Sequence, residues 1–292
     1  MTASSPTAPD PLIPADFAGW LTVTGAALRR SGARLVGIVA VWSVVPLLVT
    51  GWVDDRLSYL LDTATIDTTD PNDPAAVAAS LTALVDMIFY LAGTAATTVV
   101  LGYFLSAGWA AMLRVVITDA VGEPIGFGEA MRYGARHGAR MWGWYALMYV
   151  CVLAGSALCV VPGVYLAVVF ALFAPVVVCE GGPALARSLR LVHGSFGVVL
   201  GRVVLLFAGY VVVSLVVAIA ESGTGLVPPV GVSAGIGQVI GTLVVSLVVQ
   251  SLVMPVLATG LLTCYTQARR REGSLTSAAE LLDRSAGSTN FA

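Results

Sequence analysis

The chain has 292 residues, of which 58% are hydrophobic and 11% charged, and a mean hydropathy of +0.90. Soluble domains usually carry about 25% charged residues, so this composition excludes a domain with an ordinary water-facing surface. The formal net charge of −2 decides little, because in a membrane protein the placement of charge matters more than its sum.

Residues 1–16 hold Pro6, Pro9, Pro11 and Pro14 among Ser, Thr and Ala, a composition that predicts a disordered cytoplasmic tail. The segment lacks a charged stretch followed by an apolar one, so it is not read as a signal peptide. From Phe17 to Arg29 the pattern has helical periodicity. The first apolar run, 35–53, lies between Arg34 and Asp54. A spanning helix needs about 20 predominantly apolar residues, and five further runs meet or approach that length. They are 87–113, 141–161, 164–179, 203–220 and 240–264. Pro162-Gly163 is expected to end the third and Glu180 the fourth, and Arg269, Arg270 and Arg271 follow the sixth. The runs are too long and too evenly apolar for barrel strands, which alternate over about ten residues. The predicted fold is therefore an all-α integral membrane domain over 17–271, with a cytoplasmic tail at 272–292.

Every basic residue is Arg. If the N-terminus is inside, only Arg56 falls outside, and the other fourteen Arg residues fall inside. Such asymmetry predicts cytoplasmic N- and C-termini in a plasma membrane. The first outer segment instead carries Asp54, Asp55, Asp62, Asp67, Asp70, Asp73 and Asp86, and its centre at 68–74 reads as turns.

Arg30-Ser31-Gly32-Ala33-Arg34 precedes the first run, and Arg136-His137-Gly138-Ala139-Arg140 precedes the third. A weaker echo, His193-Gly194-Ser195, precedes the fifth. Each follows a short segment of helical periodicity: Phe17 to Arg29, Phe127 to Tyr133 and Ala184 to Val192. The pattern suggests three units, each a cytoplasmic interfacial amphipathic helix followed by a membrane hairpin. Gly would supply the elbow between the two parts. The alternative is chance, since Arg, Gly and Ala are common in this chain.

Polar groups near the runs each have a structural reading. Arg202 is expected to snorkel to cytoplasmic headgroups. Glu180 is expected to pair locally with Arg187 and Arg190. Gln250, deep in the sixth run, and Gln238 suit interhelical hydrogen bonds, with a substrate contact as the alternative. Pro46, Pro175 and Pro255 should bend their helices. Gly197-x-x-x-Gly201 and Gly237-x-x-x-Gly241 allow close helix approach. Trp52, Trp142 and Trp144 fit interfacial belts. Cys151, Cys159, Cys179 and Cys264 read as small buried hydrophobes. His137 and His193 suit packing or headgroup contact, and two His without nearby carboxylates do not suggest a metal site. No zinc-protease or phosphate-loop signature is present, and neither catalytic residues nor a cofactor is expected.

The stretch Val161-Pro162-Gly163-Val164-Tyr165-Leu166-Ala167, then Ala174-Pro175 and Glu180-Gly181-Gly182-Pro183-Ala184-Leu185-Ala186-Arg187-Ser188, resembles the membrane domain found with some bacterial glycerophosphoryl diester phosphodiesterases. It is also similar to related stand-alone actinobacterial multi-pass membrane proteins. The resemblance implies a family and a layout but no activity, because the soluble metal-dependent barrel of some relatives is missing here. The expected function is a non-catalytic scaffold or accessory in lipid- or envelope-related processes. Its partners would be the bilayer and anionic headgroups at the Arg-rich face, and no nucleic acid. The alternative is a transporter or lipid-handling protein with a cavity near Gln250 and Pro255.

Overall fold

The computed structural model describes residues 10–62, 74–224, 236–274 and 277–287, which form helices and short turns with no strand among them. Six stretches are long and apolar enough to cross a membrane: Phe17–Val53, Pro74–Val121, Phe127–Leu158, Val160–Cys179, Phe196–Ala220 and Ile240–Arg271. They follow the apolar runs of the sequence in number and order. The turns expected at 68–73 lie outside the described residues.

Helices α1 (Phe17–Asp62) and α2 (Pro74–Val121) contain 46 and 48 residues. At 1.5 Å per residue each is about 70 Å long, more than twice the ~30 Å of bilayer hydrocarbon. Pro74 opens α2 at the helical position that tolerates a missing N–H. α1 runs through Gly32 without a break, and α3 (Phe127–Leu158) runs through Gly138. The expected elbows at these two glycines are therefore absent. Packing explains Gly138 instead: a Cβ there would lie 2.8 Å from the Ala107 Cβ on α2. One at Gly134 would lie 2.5 Å from the Ala107 carbonyl oxygen. These glycines let two helices approach closely. Only the third copy is interrupted, at Ser195, where α6 (Ala184–Gly194) gives way to α7 (Phe196–Thr224).

The fourth run is not one helix. The chain already turns at Cys159, whose backbone is extended, so α4 (Val160–Val169) starts before Pro162-Gly163. Gly163 packs directly on Gly155 and Ser156 of α3. α4 then stops, and α5 (Phe173–Cys179) begins after a turn. Pro175 is the local reason, because it offers no N–H to the Ala171 carbonyl and its ring crowds that carbonyl. The break also frees the Val169 carbonyl, and Ser188 of α6 donates its hydroxyl to it at 2.7 Å. Pro46 and Pro255, by contrast, sit within unbroken helices, α1 and α8 (Ile236–Arg271).

α1 packs between α2 and α8, α2 against α3, α3 against α4, and α7 against α8. Burial is concentrated toward one end of this assembly. On α2 it runs from Leu101 to Thr118, and α7 has no buried hydrophobic residue beyond Leu206.

The first and last described segments, residues 10–16 and 278–287, pack against that buried end. Residues 10–16, expected in a disordered tail, are docked, and Leu12 is fully buried. Their carbonyls accept hydrogen bonds: Leu12 from Thr266 at 2.6 Å, Ala15 from Gln267 at 3.1 Å and Asp16 from Arg202 at 2.9 Å. The expected C-terminal tail contains α9 (Ala278–Gly287), which packs on α2 and α5 and buries Leu281. Asp10 accepts the first N–H of α9, that of Ala278, at 2.8 Å. The helix start is thus capped by the opposite end of the chain.

Candidate functional site

Two regions gather polar groups: the buried end of the helices and a cavity between α1, α2, α3 and α8. At the buried end, Glu180 follows α5 directly. Its Oε2 accepts from Arg187 at 2.9 Å, and its Oε1 accepts from Arg269 at 2.5 Å and Tyr265 at 2.9 Å. Arg187 reaches on to Glu272 at 2.6 Å. Partial burial lowers the Arg187 pKa, but its hydrogen bonds to Glu272 and Glu180 outweigh that and raise it. The expected Glu180–Arg187 pair is present, whereas Arg190 is exposed and Arg269 takes the second place. A second knot joins α1 to α2, where Asp119 accepts from Ser31 and from Arg34, each at 2.6 Å. Arg114 donates to the Ser285 hydroxyl of α9 and lies over the Tyr133 ring.

Arg202 does not snorkel. It is 2% exposed, lies 5.4 Å from the centre of the Trp20 ring, and bonds the Asp16 carbonyl. The docked N-terminal segment covers it. That interaction was not legible at Arg202 itself, because nothing local indicates that residues 10–16 return to this position.

His137 stacks on Tyr133 with ring centres 4.0 Å apart, and its Nδ1 lies 2.9 Å from the Tyr133 carbonyl. His193 places Nδ1 2.8 Å from the Leu189 carbonyl and Nε2 2.9 Å from the Tyr165 hydroxyl. A carbonyl only accepts, so Nδ1 donates, and Nε2 of the neutral ring accepts from Tyr165. Glu180, His193 and Arg202 therefore have separate partners and form no shared site. Among the described residues, no group of three His, Cys, Asp or Glu side chains is placed to hold a metal ion.

Cys179 and Cys264 are buried, Cys151 is half-buried, and Cys159 is exposed because it forms the α3–α4 turn. Trp52 is 63% exposed at the far end of its apolar run. Trp142 ties helices together: its indole donates to the Val99 carbonyl of α2 at 2.6 Å. The glycines expected to permit close approach have open surroundings: no atom lies within 4 Å of a Cβ built at Gly197, Gly201 or Gly237.

The cavity has a volume of about 260 Å³ and no charged residue in its lining. Gln250 and Met254 of α8, Trp42 and Pro46 of α1, Thr98 of α2 and Tyr145 of α3 contribute to its walls. Pro255 does not; it is buried within α8. Glycine notches on α2 shape the space. Trp42 fits against Gly108 and Tyr145 against Gly102, so two large rings stand where the helices come together. The hydroxyls of Thr50 and Thr98 are occupied by their own helix carbonyls, Pro46 at 2.7 Å and Thr94 at 2.9 Å. Gln250 and Pro46 are lining residues that the sequence itself marks. The aromatics were missed because their cue, a facing glycine on another helix, is long-range.

Comparison of the chain with protein-family models, curated proteins and solved structures finds no match.

Proposed function

We propose that this chain is a non-catalytic, multi-pass plasma-membrane protein that acts as a scaffold or accessory in lipid- or envelope-related processes. In this reading the spans form three hairpins, each led by a cytoplasmic amphipathic segment that is continuous with the span in α1 and α3 and separate only as α6, and both termini are cytoplasmic. The observation that carries it is the use of charge at the buried end. Glu180, Asp119, Arg114, Arg187 and Arg269 bind one another's helices and the terminal segments. Arg29, Arg30, Arg132, Arg136, Arg190, Arg270 and Arg271 are exposed and suited to anionic headgroups, each worth about 1 kcal/mol near a charged leaflet. The resemblance to the phosphodiesterase-associated membrane domain belongs to the same proposal. Lipidomics of a deletion strain tests the role: altered lipid or envelope composition is expected, and an unchanged profile counts against it. A reporter fused near Asp70 tests orientation, which fails if the reporter is cytoplasmic.

A lipid-handling role is the second reading, favoured by the uncharged cavity beside Gln250. Its apolar lining suits a hydrocarbon better than a hydrated solute.

A further inference from the structure

We propose that the cavity between α1, α2, α3 and α8 binds an acyl chain of a membrane glycerolipid, entering sideways between the helices. The inference deepens the lipid-handling reading and rests on it. The first argument is the chemistry of the walls. Trp42, Pro46, Leu101, Tyr145 and Met254 are mainly hydrocarbon and ring surface, and no charge lines the space. The Thr50 and Thr98 hydroxyls are engaged by their own helices. A stable buried water needs two to four polar partners; Ser43, Tyr145, Gln250 and the unpartnered Trp42 indole N–H are polar points in a wall that is otherwise apolar, and that wall suits a methylene chain.

The second argument is access. Away from the buried end, the helices expose apolar residues on more than one side. Val211, Val212 and Val213 of α7 are 50%, 58% and 39% exposed, although successive residues on a helix point about 100° apart. On α2, Ile88, Phe89 and Leu91 are 60%, 63% and 58% exposed. In a bilayer, surfaces of this kind meet acyl chains, and α2 and α8, which bound the cavity, both carry them: Val248 and Leu252 of α8 are 53% and 64% exposed. Gln250 supplies a polar contact in the wall.

The test uses the full chain in nanodiscs containing phosphatidylethanolamine with a photoreactive diazirine in one acyl chain. Labelled sites are mapped by mass spectrometry. Labelling is expected at Trp42, Tyr145 and Met254, and it should saturate as the probe fraction rises. Labelling at Val212, an ordinary lipid-facing position, should rise in proportion. Met254→Trp and Ser43→Phe, which fill the space, should lower cavity labelling about tenfold, equivalent to about 1.4 kcal/mol of binding, and leave Val212 unchanged. Cavity labelling that merely tracks Val212, or that survives both substitutions, overturns the proposal. If the variants fail to fold, the difference between saturating and proportional labelling in the wild-type chain decides alone. A normal lipid profile in the deletion strain combined with saturable labelling would reject the accessory role and leave the site standing.

Discussion

Glu180 and Arg202 are both charges held away from solvent, but their surroundings differ and so do the expected consequences of removing them. Glu180 binds two guanidinium groups and a phenol. Glu180→Gln leaves Arg269, whose side chain is 4% exposed, without its countercharge. Breaking one side of a buried pair costs about 3–5 kcal/mol; the partial exposure of Glu180 places this case near 3. Arg187→Ala should cost about 1 kcal/mol, because Arg187 is 21% exposed and water replaces part of what is lost. Thermal unfolding in detergent should therefore show a clearly larger fall for Glu180→Gln, and equal falls would contradict the geometry. Arg202 bonds the Asp16 carbonyl and lies within hydrogen-bonding reach of the Cys264 thiol, and neither partner is a carboxylate. Arg202→Met keeps much of its volume and removes a poorly compensated charge, so stability should change by no more than about 1 kcal/mol. A much larger loss in the same assay would mean that its cation–π contact with Trp20 matters more than proposed here.

The helix contacts turn on a few small side chains. Gly138 meets Ala107, so Gly138→Leu must push α3 off α2 and should cost about 1–3 kcal/mol or more. Gly32 and Gly201 have no neighbour within 4 Å of a Cβ, and substitution by Ala should stabilise either by up to about 1 kcal/mol through helix propensity. Opposite signs in denaturation measurements are the expected outcome; loss of stability in Gly32→Ala would restore it as an elbow. Ser188 acts at the break between α4 and α5. Ser188→Ala leaves the Val169 carbonyl without its donor and should cost about 1–3 kcal/mol. Ser188→Thr, which retains a hydroxyl, should recover part of that stability in the same melt.

At the scale of the whole molecule, residues 10–16 and α9 clasp the buried side. Asp10 caps α9, the carbonyls of residues 12–16 receive donors from α7 and α8, and Leu12 is buried. Deleting residues 1–16 should lower the unfolding temperature and raise hydrogen exchange in α9 more than deleting residues 1–9 does, because residues 10–16 hold the docked contacts. Equal behaviour of the two truncations would show that the docked segment contributes nothing.

Much of this layout was legible along the chain. Six helices follow from the length and even polarity of the apolar runs, because a backbone buried in hydrocarbon must satisfy its own hydrogen bonds. The split of Arg residues about those runs likewise carries a proposed orientation without any contact being known. Gln250 and the Glu180–Arg187 pair were legible for the same local reason: one is polar within an apolar run, and the other joins opposite charges one short turn apart. Tertiary structure decided the rest. It turned Gly138 from a hinge into a contact, broke the fourth run at Pro175 but left Pro46 and Pro255 inside continuous helices, and buried Arg202 under residues that looked disordered. Each of these outcomes depends on what a distant segment brings within a few ångströms. Residue spacing records a helix and its faces, but it does not record which neighbour meets them.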